Sequence, residues 1–401
     1  VPSSPTSRRN LLGAALAVGG ACAITGCSSS TPQQAPAPAA AKQPVPNKGA
    51  HLVMLGTRGG PIPGARAGTS TALVVDGAIY LIDAGSGLPV RFYESGLDFA
   101  AVRGMFITHL HSDHYIDAFS FLSLNWTNWD FGNQVVQVYG PGRADLTGPA
   151  GSSAPGLPEQ PYALPVTPEL PTPGIEEFFD LSIKANAYDI NERLRSTRRV
   201  DGKPMDLTGL ANDPMMRVHG IPVPAHANVR NHSPALAPID VYQDDRVRVT
   251  ATLVDHPPVF PAFGFRFDTP HGSVTFSGDT TPCDNLRTLA KGTDVLVNEV
   301  MDIDAATAKF RGKPIYDTMA HQFASAHTPA AEWTSRTGEK KPGVGTFART
   351  CEARSLVLNH IYPGDDTVAD GVFHAAAEDA LKRRVVVSRD LVVLDVAELA
   401  R

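Results

Sequence analysis

Long apolar runs, cysteines and an excess of basic charge are all scarce in this chain of 401 residues. The apolar run Leu11–Thr25 falls short of the roughly 20 residues that a helix needs to span a bilayer, so no ordinary transmembrane anchor is expected there. Four cysteines are present, and Cys22 and Cys27 precede the body of the protein. That leaves Cys283 and Cys351 in the body, 68 residues apart, too few for a disulfide-built scaffold; they could pair after export, but two separate buried thiols are the expectation. Net charge is −6, and because Arg8 and Arg9 are the only charges among residues 1–26, the remainder carries 33 bases against 41 acids. Nothing in that total recruits a polyanion, so nucleic acid is not expected as a partner. What is abundant is apolar residue content, at 42%, enough to bury a sizeable core.

The first 49 residues divide in two. Ser7-Arg8-Arg9-Asn10-Leu11-Leu12 ahead of the apolar run has the layout of a secretory signal. The arginine pair resembles a twin-arginine export signal, and Ile24-Thr25-Gly26-Cys27 resembles a bacterial lipobox. Together they imply a signal peptide over 1–26, export, and attachment to the outer side of a membrane through a lipid on Cys27. Residues 27–49 are rich in Ser, Pro, Ala and Gln and cannot offset ordering entropy by burial, which predicts a disordered tether. The folded domain is then 50–401, interrupted by an insertion at about 143–245 that contains the proline-rich tract 149–173.

Short apolar runs recur through that domain: His51–Leu55, Thr71–Val75, Ala78–Ile82, Gly104–Thr108, Val247–Leu253, Phe263–Phe267, Ser273–Phe276, Val295–Asn298, Leu356–Asn359, Val385–Val387 and Leu391–Leu394. Asp76-Gly77 between two of them is a strong hairpin signal. Helical patterns occupy Gly174–Arg195 and Ala330–Thr337. Many strands with interspersed helices predict a layered α/β protein without determining its topology.

The segment with most chemical content is Phe106-Ile107-Thr108-His109-Leu110-His111-Ser112-Asp113-His114. An apolar strand runs into a loop that offers three imidazoles and a carboxylate within six residues, a density of metal ligands that structure alone rarely requires. Alternation along an extended chain points His109 and His111 to one side. Farther on, His256, Asp279 and His360 each follow an apolar run.

These residues resemble the HxHxDH signature and downstream ligands of the metallo-β-lactamase superfamily. The resemblance covers about 51–395 and implies an α/β fold built as a four-layer αββα sandwich, with the site at one rim. It also implies two divalent metal ions, one held by His109, His111 and His256 and the other by Asp113, His114 and His360, with Asp279 bridging. Zinc is the ion expected, because His111 occupies a position where the iron oxidoreductases of the family have glutamate. Two such ions activate a water and polarise an ester, so a hydrolase is expected, with Asp113 and Asp279 among its catalytic groups.

Within the superfamily, Leu55–Pro61, Ser277-Gly278-Asp279-Thr280 and Val297-Asn298-Glu299-Val300 resemble the branch of ribonuclease Z and the arylsulfatases of this fold. The ribonucleases carry a tRNA-gripping arm between the positions of His256 and Asp279, where only 22 residues intervene here, and Asn298 replaces their usual histidine. An arylsulfatase-like hydrolase of small sulfate, phosphate or carboxylate esters is therefore the expectation. The alternatives are a ribonuclease Z-like phosphodiesterase and a non-catalytic metal-binding surface lipoprotein. His327, at the mouth of the predicted helix Ala330–Thr337, resembles a His-Ser/Thr element beside the metals and is the expected general acid. Trp126, Trp129, Phe178, Phe179 and Tyr188 in the long stretch between His114 and His256 suggest a lid or pocket wall.

Overall fold

Strand β1 (Ala50–Gly56) is buried along its whole length and splits its side chains by the two-residue period. Leu52 and Met54 enter one core, and Val53 and Leu55 enter another. A strand covered on both faces in this way reads as a continuous apolar run. The same holds for β2 (Ser70–Val75), β3 (Ala78–Ile82) and, in the opposite sheet, β11 (Val295–Met301).

The computed structural model describes residues 44–62, 64–125, 135–144, 172–199, 201–209 and 214–401. The leader with Cys27, most of the tether, Trp126, Trp129 and the proline tract up to residue 171 lie outside the described residues. Seven strands form the first sheet in the order β16-β1-β2-β3-β4-β5-β6, where β4 is Val102–Phe106, β5 Val136–Pro141, β6 Met216–Ile221 and β16 Val393–Asp395. Seven more form the second in the order β15-β14-β11-β10-β9-β8-β7. There β7 is Ile239–Gln243, β8 Arg248–Leu253, β9 Phe263–Thr269, β10 Gly272–Phe276, β14 Ser355–Tyr362 and β15 Arg384–Val387.

The two sheets face each other across a core that contains Tyr80, Phe106, Phe265 and Phe267. Phe106 meets Phe267 edge-on at 5.1 Å and Phe265 at 5.8 Å, contacts worth about 0.5–1.5 kcal/mol each beyond area burial. Helices Leu88–Ser95, Ala118–Leu124 and Ile175–Ala185 cover the outer face of the first sheet. Helices Asp284–Leu289, Val344–Thr350 and Asp370–Leu381 cover the outer face of the second. The result is the expected four-layer αββα sandwich.

Strand direction is what places the site. In the first sheet β1 and β2 are antiparallel, β2 and β3 antiparallel, and β3 and β4 parallel, so β1, β3 and β4 end on the same side. The second sheet gives β8, β10, β11 and β14 a common direction by the same reasoning. All the proposed ligands follow or end these strands.

Three sequence expectations change. Gly174–Arg195 is two helices, Ile175–Ala185 and Ala187–Ser196, parted at Asn186, whose amide competes for Ser182 O. Ala330–Thr337 is not helical. Ala330 N donates to Met301 O and Met301 N to Thr328 O, and Trp333–Thr334 forms the short strand β12 against β13 (Lys340–Lys341). Tertiary pairing overrides local propensity there, and the helix lies earlier, at Tyr316–Ala326. Lastly, β5, β6 and β7, whose apolar residues alternate with polar ones over only a few positions, are not among the runs expected from the sequence, yet β6 and β7 close one edge of each sheet from within the 143–245 stretch. Cys283 and Cys351 are free thiols, and burial pushes that of Cys351 up to about 12. Among the described residues no helix is long and apolar enough to cross a membrane.

Candidate metal centre

The loop after β4 brings His109, His111, Asp113 and His114 to the rim, where they meet His256 beyond β8, Asp279 beyond β10 and His360 in β14. His109, His111, His256 and Asp279 can each offer a ligand atom to one ion, and Asp113, His114 and His360 to another. Asp279 reaches both groups. Its Oδ2 lies 4.0 Å from His109 Nε2, 3.9 Å from His256 Nε2 and 3.3 Å from His360 Nε2, while its Oδ1 lies 3.3 Å from His114 Nε2. Asp113 Oδ2 is 3.4 Å from His360 Nε2. His111 alone among the seven is open to solvent.

Three of the ligands, His114, His256 and Asp113, are held from behind. Asp83, at the end of β3, accepts from His114 Nδ1 at 2.8 Å and from the backbone and hydroxyl of Thr108. His256 Nδ1 lies 2.7 Å from Ala326 O, leaving Nε2 toward the centre. Gly60 N donates to Asp113 Oδ2 at 2.9 Å. Gly60 has a φ of +84° and a Cβ on Gly59 would sit 2.7 Å from His360 Nδ1, so the turn after β1 must be glycine to approach the site this closely. Such outer partners fix ring orientation and tautomer.

His360 owes its position to a bulge. Glu299 pairs with Asn359 and Val300 with Ile361, so His360 is the extra residue in β14, with a φ of +45°. Bulges re-aim side chains beside active sites. Asp83 also has positive φ, at +59°, and backbone strain of this kind concentrates at functional residues.

The buried imidazoles and carboxylates shift one another's protonation. Burial holds His109 well below the usual imidazole range and brings His256 down to about 3. For His360, burial is outweighed by the charge of Asp279, the hydrogen bond to Asp113 and the nearby carboxylate of Glu299, which raise it to about 10. His114 is likewise raised, against burial, by Asp279 and Asp83. Protons on these two rings balance the carboxylates, and divalent ions would displace them. Three inward atoms, His109 Nε2, His114 Nε2 and Asp279 Oδ1, are buried without a hydrogen-bond partner. Unpartnered imidazole and carboxylate atoms converging on one volume fit divalent transition metals.

His327 lies beside this centre, but as the residue ending helix Tyr316–Ala326 and not at the mouth of a following helix. Its Nδ1 is 2.8 Å from Glu299 Oε2 and 3.8 Å from Asp279 Oδ2. The charge of Glu299, opposing burial, raises its pKa. Glu299, with Asp279 and His360, has the geometry of a further cation ligand, yet both its oxygens are engaged, Oε1 accepting from Thr280 N at 2.6 Å. It is the holder of His327.

Sequence pattern alone does not single out Asp83 or the Glu299–His327 pair. The one signal for Asp83 is an acid directly after the apolar run Ala78–Ile82. Asp83→Asn is expected to lower metal affinity about 10–100-fold while leaving the fold intact, as measured by competition with a chromophoric chelator; unchanged affinity would remove Asp83 from the site. Of the histidines outside this centre, His321 is exposed and pairs with Glu339, and His226 is exposed. His232 is buried 3.7 Å from Asp255. Asn298 is fully buried and bonds Thr328. Phe179 belongs to the core and Tyr188 is 93% exposed, whereas Phe178 lines a pocket of about 420 Å³ with Leu110 and Tyr115, neighbours of the ligands in sequence.

Comparison with known proteins bears on the chemistry. The family model described as anti-Pycsar protein Apyc1 matches residues 50–118. Ribonuclease Z of Mycobacterium bovis (strain BCG / Pasteur 1173P2) is 29% identical over 344 residues, covering 85% of this chain and 96% of the relative. Ribonuclease Z of Mycobacterium tuberculosis (strain ATCC 25618 / H37Rv) is 29% identical over 343 residues with the same coverage. The crystal structure of human tRNase Z, short form, superposes with a TM-score of 0.50 at 18% identity, over 86% of this chain and 99% of that one. The fold is the metallo-β-lactamase sandwich. The expectation that excluded nucleic acid is overturned, because relatives matched over nearly their whole length are ribonucleases. Net charge misleads because it sums a whole surface, whereas a polyanion meets local fields. An arylsulfatase-like activity gains no support from these relatives.

Proposed function

We propose that the protein is a ribonuclease Z-like phosphodiesterase that uses two divalent ions, zinc first among them, to cleave RNA. The observation that supports this most is the Asp279 carboxylate lying within reach of both ligand groups, together with similarity to ribonuclease Z over 96% of that relative. With two dications bound, such a centre supplies an activated water and neutralises charge on a phosphoryl group. Asp279 and Asp113 orient and balance that charge. His327, held at Nδ1 by Glu299, presents Nε2 to donate a proton to the departing ribose oxygen. His111, open to solvent, borders the entry.

A panel of an RNA with a labelled 3′ extension, bis(p-nitrophenyl) phosphate and p-nitrophenyl sulfate tests the assignment. Both phosphodiesters are expected to be cleaved, with the sulfate slower by about 10³-fold or more, and a chelator should abolish turnover. Faster cleavage of the sulfate, or no cleavage of either phosphodiester by metal-replete protein, would overturn it.

A further inference from the structure

The loop joining helix Ile303–Thr307 to helix Tyr316–Ala326 carries Lys309, Phe310, Arg311 and Lys313. All three cations are exposed, and no ion pair involves them among the described residues, although the chain as a whole is acidic. Lys309 Nζ lies 5.1 Å and Lys313 Nζ 6.0 Å from the centre of the Phe310 ring, so an aromatic surface and three positive charges form one small patch.

The lobe bearing this loop is seated on the catalytic rim. Met301, at the end of β11, packs with Ile303, Ala306, Ala320 and Ala324, and Phe323 meets Tyr362, at the end of β14. Helix Tyr316–Ala326 runs toward the metal centre, since Ala326 O faces His256 Nδ1 and His327 follows. The helix has 11 residues, so the loop at its far end stands about 16 Å back from His327. Backbone bonds Arg311 N to Ala308 O, Lys313 N to Phe310 O and Tyr316 N to Lys313 O fold the loop over that end.

We propose that Lys309, Arg311 and Lys313 grip the phosphate backbone of an RNA strand whose scissile bond lies at the metals. A separation of about 16 Å along the helix corresponds to about five nucleotides of a stacked strand at about 3.4 Å per residue. Unpaired cations at that spacing contact phosphates without reading sequence, and Phe310 offers a face for a base. The inference rests on the RNA phosphodiesterase reading for its ligand, and binding can be tested apart from turnover.

The test compares wild type, Lys309→Glu/Arg311→Glu/Lys313→Glu and the charge-conserving Lys309→Arg/Arg311→Lys/Lys313→Arg. Fluorescence anisotropy follows a labelled single-stranded RNA of about 12 nucleotides with chelator present, across a range of KCl. The glutamate variant should bind at least about 10-fold more weakly, with the slope of log K against log salt smaller by about 2, since each single-strand phosphate contact contributes about 0.7. The charge-conserving variant should match wild type. Hydrolysis of bis(p-nitrophenyl) phosphate, too small to reach the loop, should stay within about twofold. Equal RNA affinity and slope in wild type and glutamate variant would overturn the proposal, as would no RNA binding by wild type, or a loss confined to phosphatidylserine vesicles. Loop-dependent binding without RNA cleavage would uphold the grip and sink the phosphodiesterase assignment. Cleavage without loop dependence would do the reverse.

Discussion

Asp279→Ala is expected to lower bound divalent metal from two ions per chain to about one and to reduce hydrolysis by roughly 10³-fold or more. The carboxylate is buried and approaches four imidazoles from both ligand groups, so its removal takes a ligand from each ion and the charge that holds the two cations close. The rings of His114 and His360, whose pKa values its charge raises, would also lose that support. Elemental analysis of folded, metal-replete protein measures the occupancy, with circular dichroism as the check on folding. Two ions retained in the variant, or no more than one in wild type, would refute a bridging role.

His327→Ala is expected to leave metal content intact and to slow cleavage of substrates with poor leaving groups by about 10²–10⁴-fold, the usual worth of a positioned general acid. A nitrophenolate departs without a proton, so its loss should be much smaller. Glu299→Gln should show the same selectivity in weaker form, because Glu299 Oε2 lies 2.8 Å from His327 Nδ1 and sets the tautomer that leaves Nε2 to donate. The measurement is the slope of log rate against leaving-group pKa in each variant. Equal losses for all leaving groups, accompanied by reduced metal, would make His327 structural.

The ligand loop is legible in the sequence because its four ligands are consecutive or nearly so, and a strand running into such a loop has few other uses. His256, Asp279 and His360 are legible in the same way, each behind an apolar run. His327 stands out for its neighbours, but the helix expected after it does not exist, since Thr328 O and Ala330 N bond the backbone of Met301 and Pro329 O accepts from Val344 N. Asp83 and Glu299 are harder to pick out, since a carboxylate at a strand end is common and its task depends on what stands opposite. The cationic loop is hidden for a related reason: three cations within five residues vanish in a net charge of −6.

By itself the sequence determined the layered α/β class, the apolar strands and the set of candidate metal ligands, because each is written in local pattern or in residue type. Tertiary structure decided which of them meet. His360 points into the site through a one-residue bulge against β11, and in a strand a shift of one residue sends a side chain to the opposite face. Asp83 reaches His114 across 31 positions and Glu299 reaches His327 across 28, partnerships set by strand direction and register and not by any neighbour in the chain. Contacts between residues far apart in sequence form only once the two sheets have packed, and the order of strands that brings them together carries no local signature.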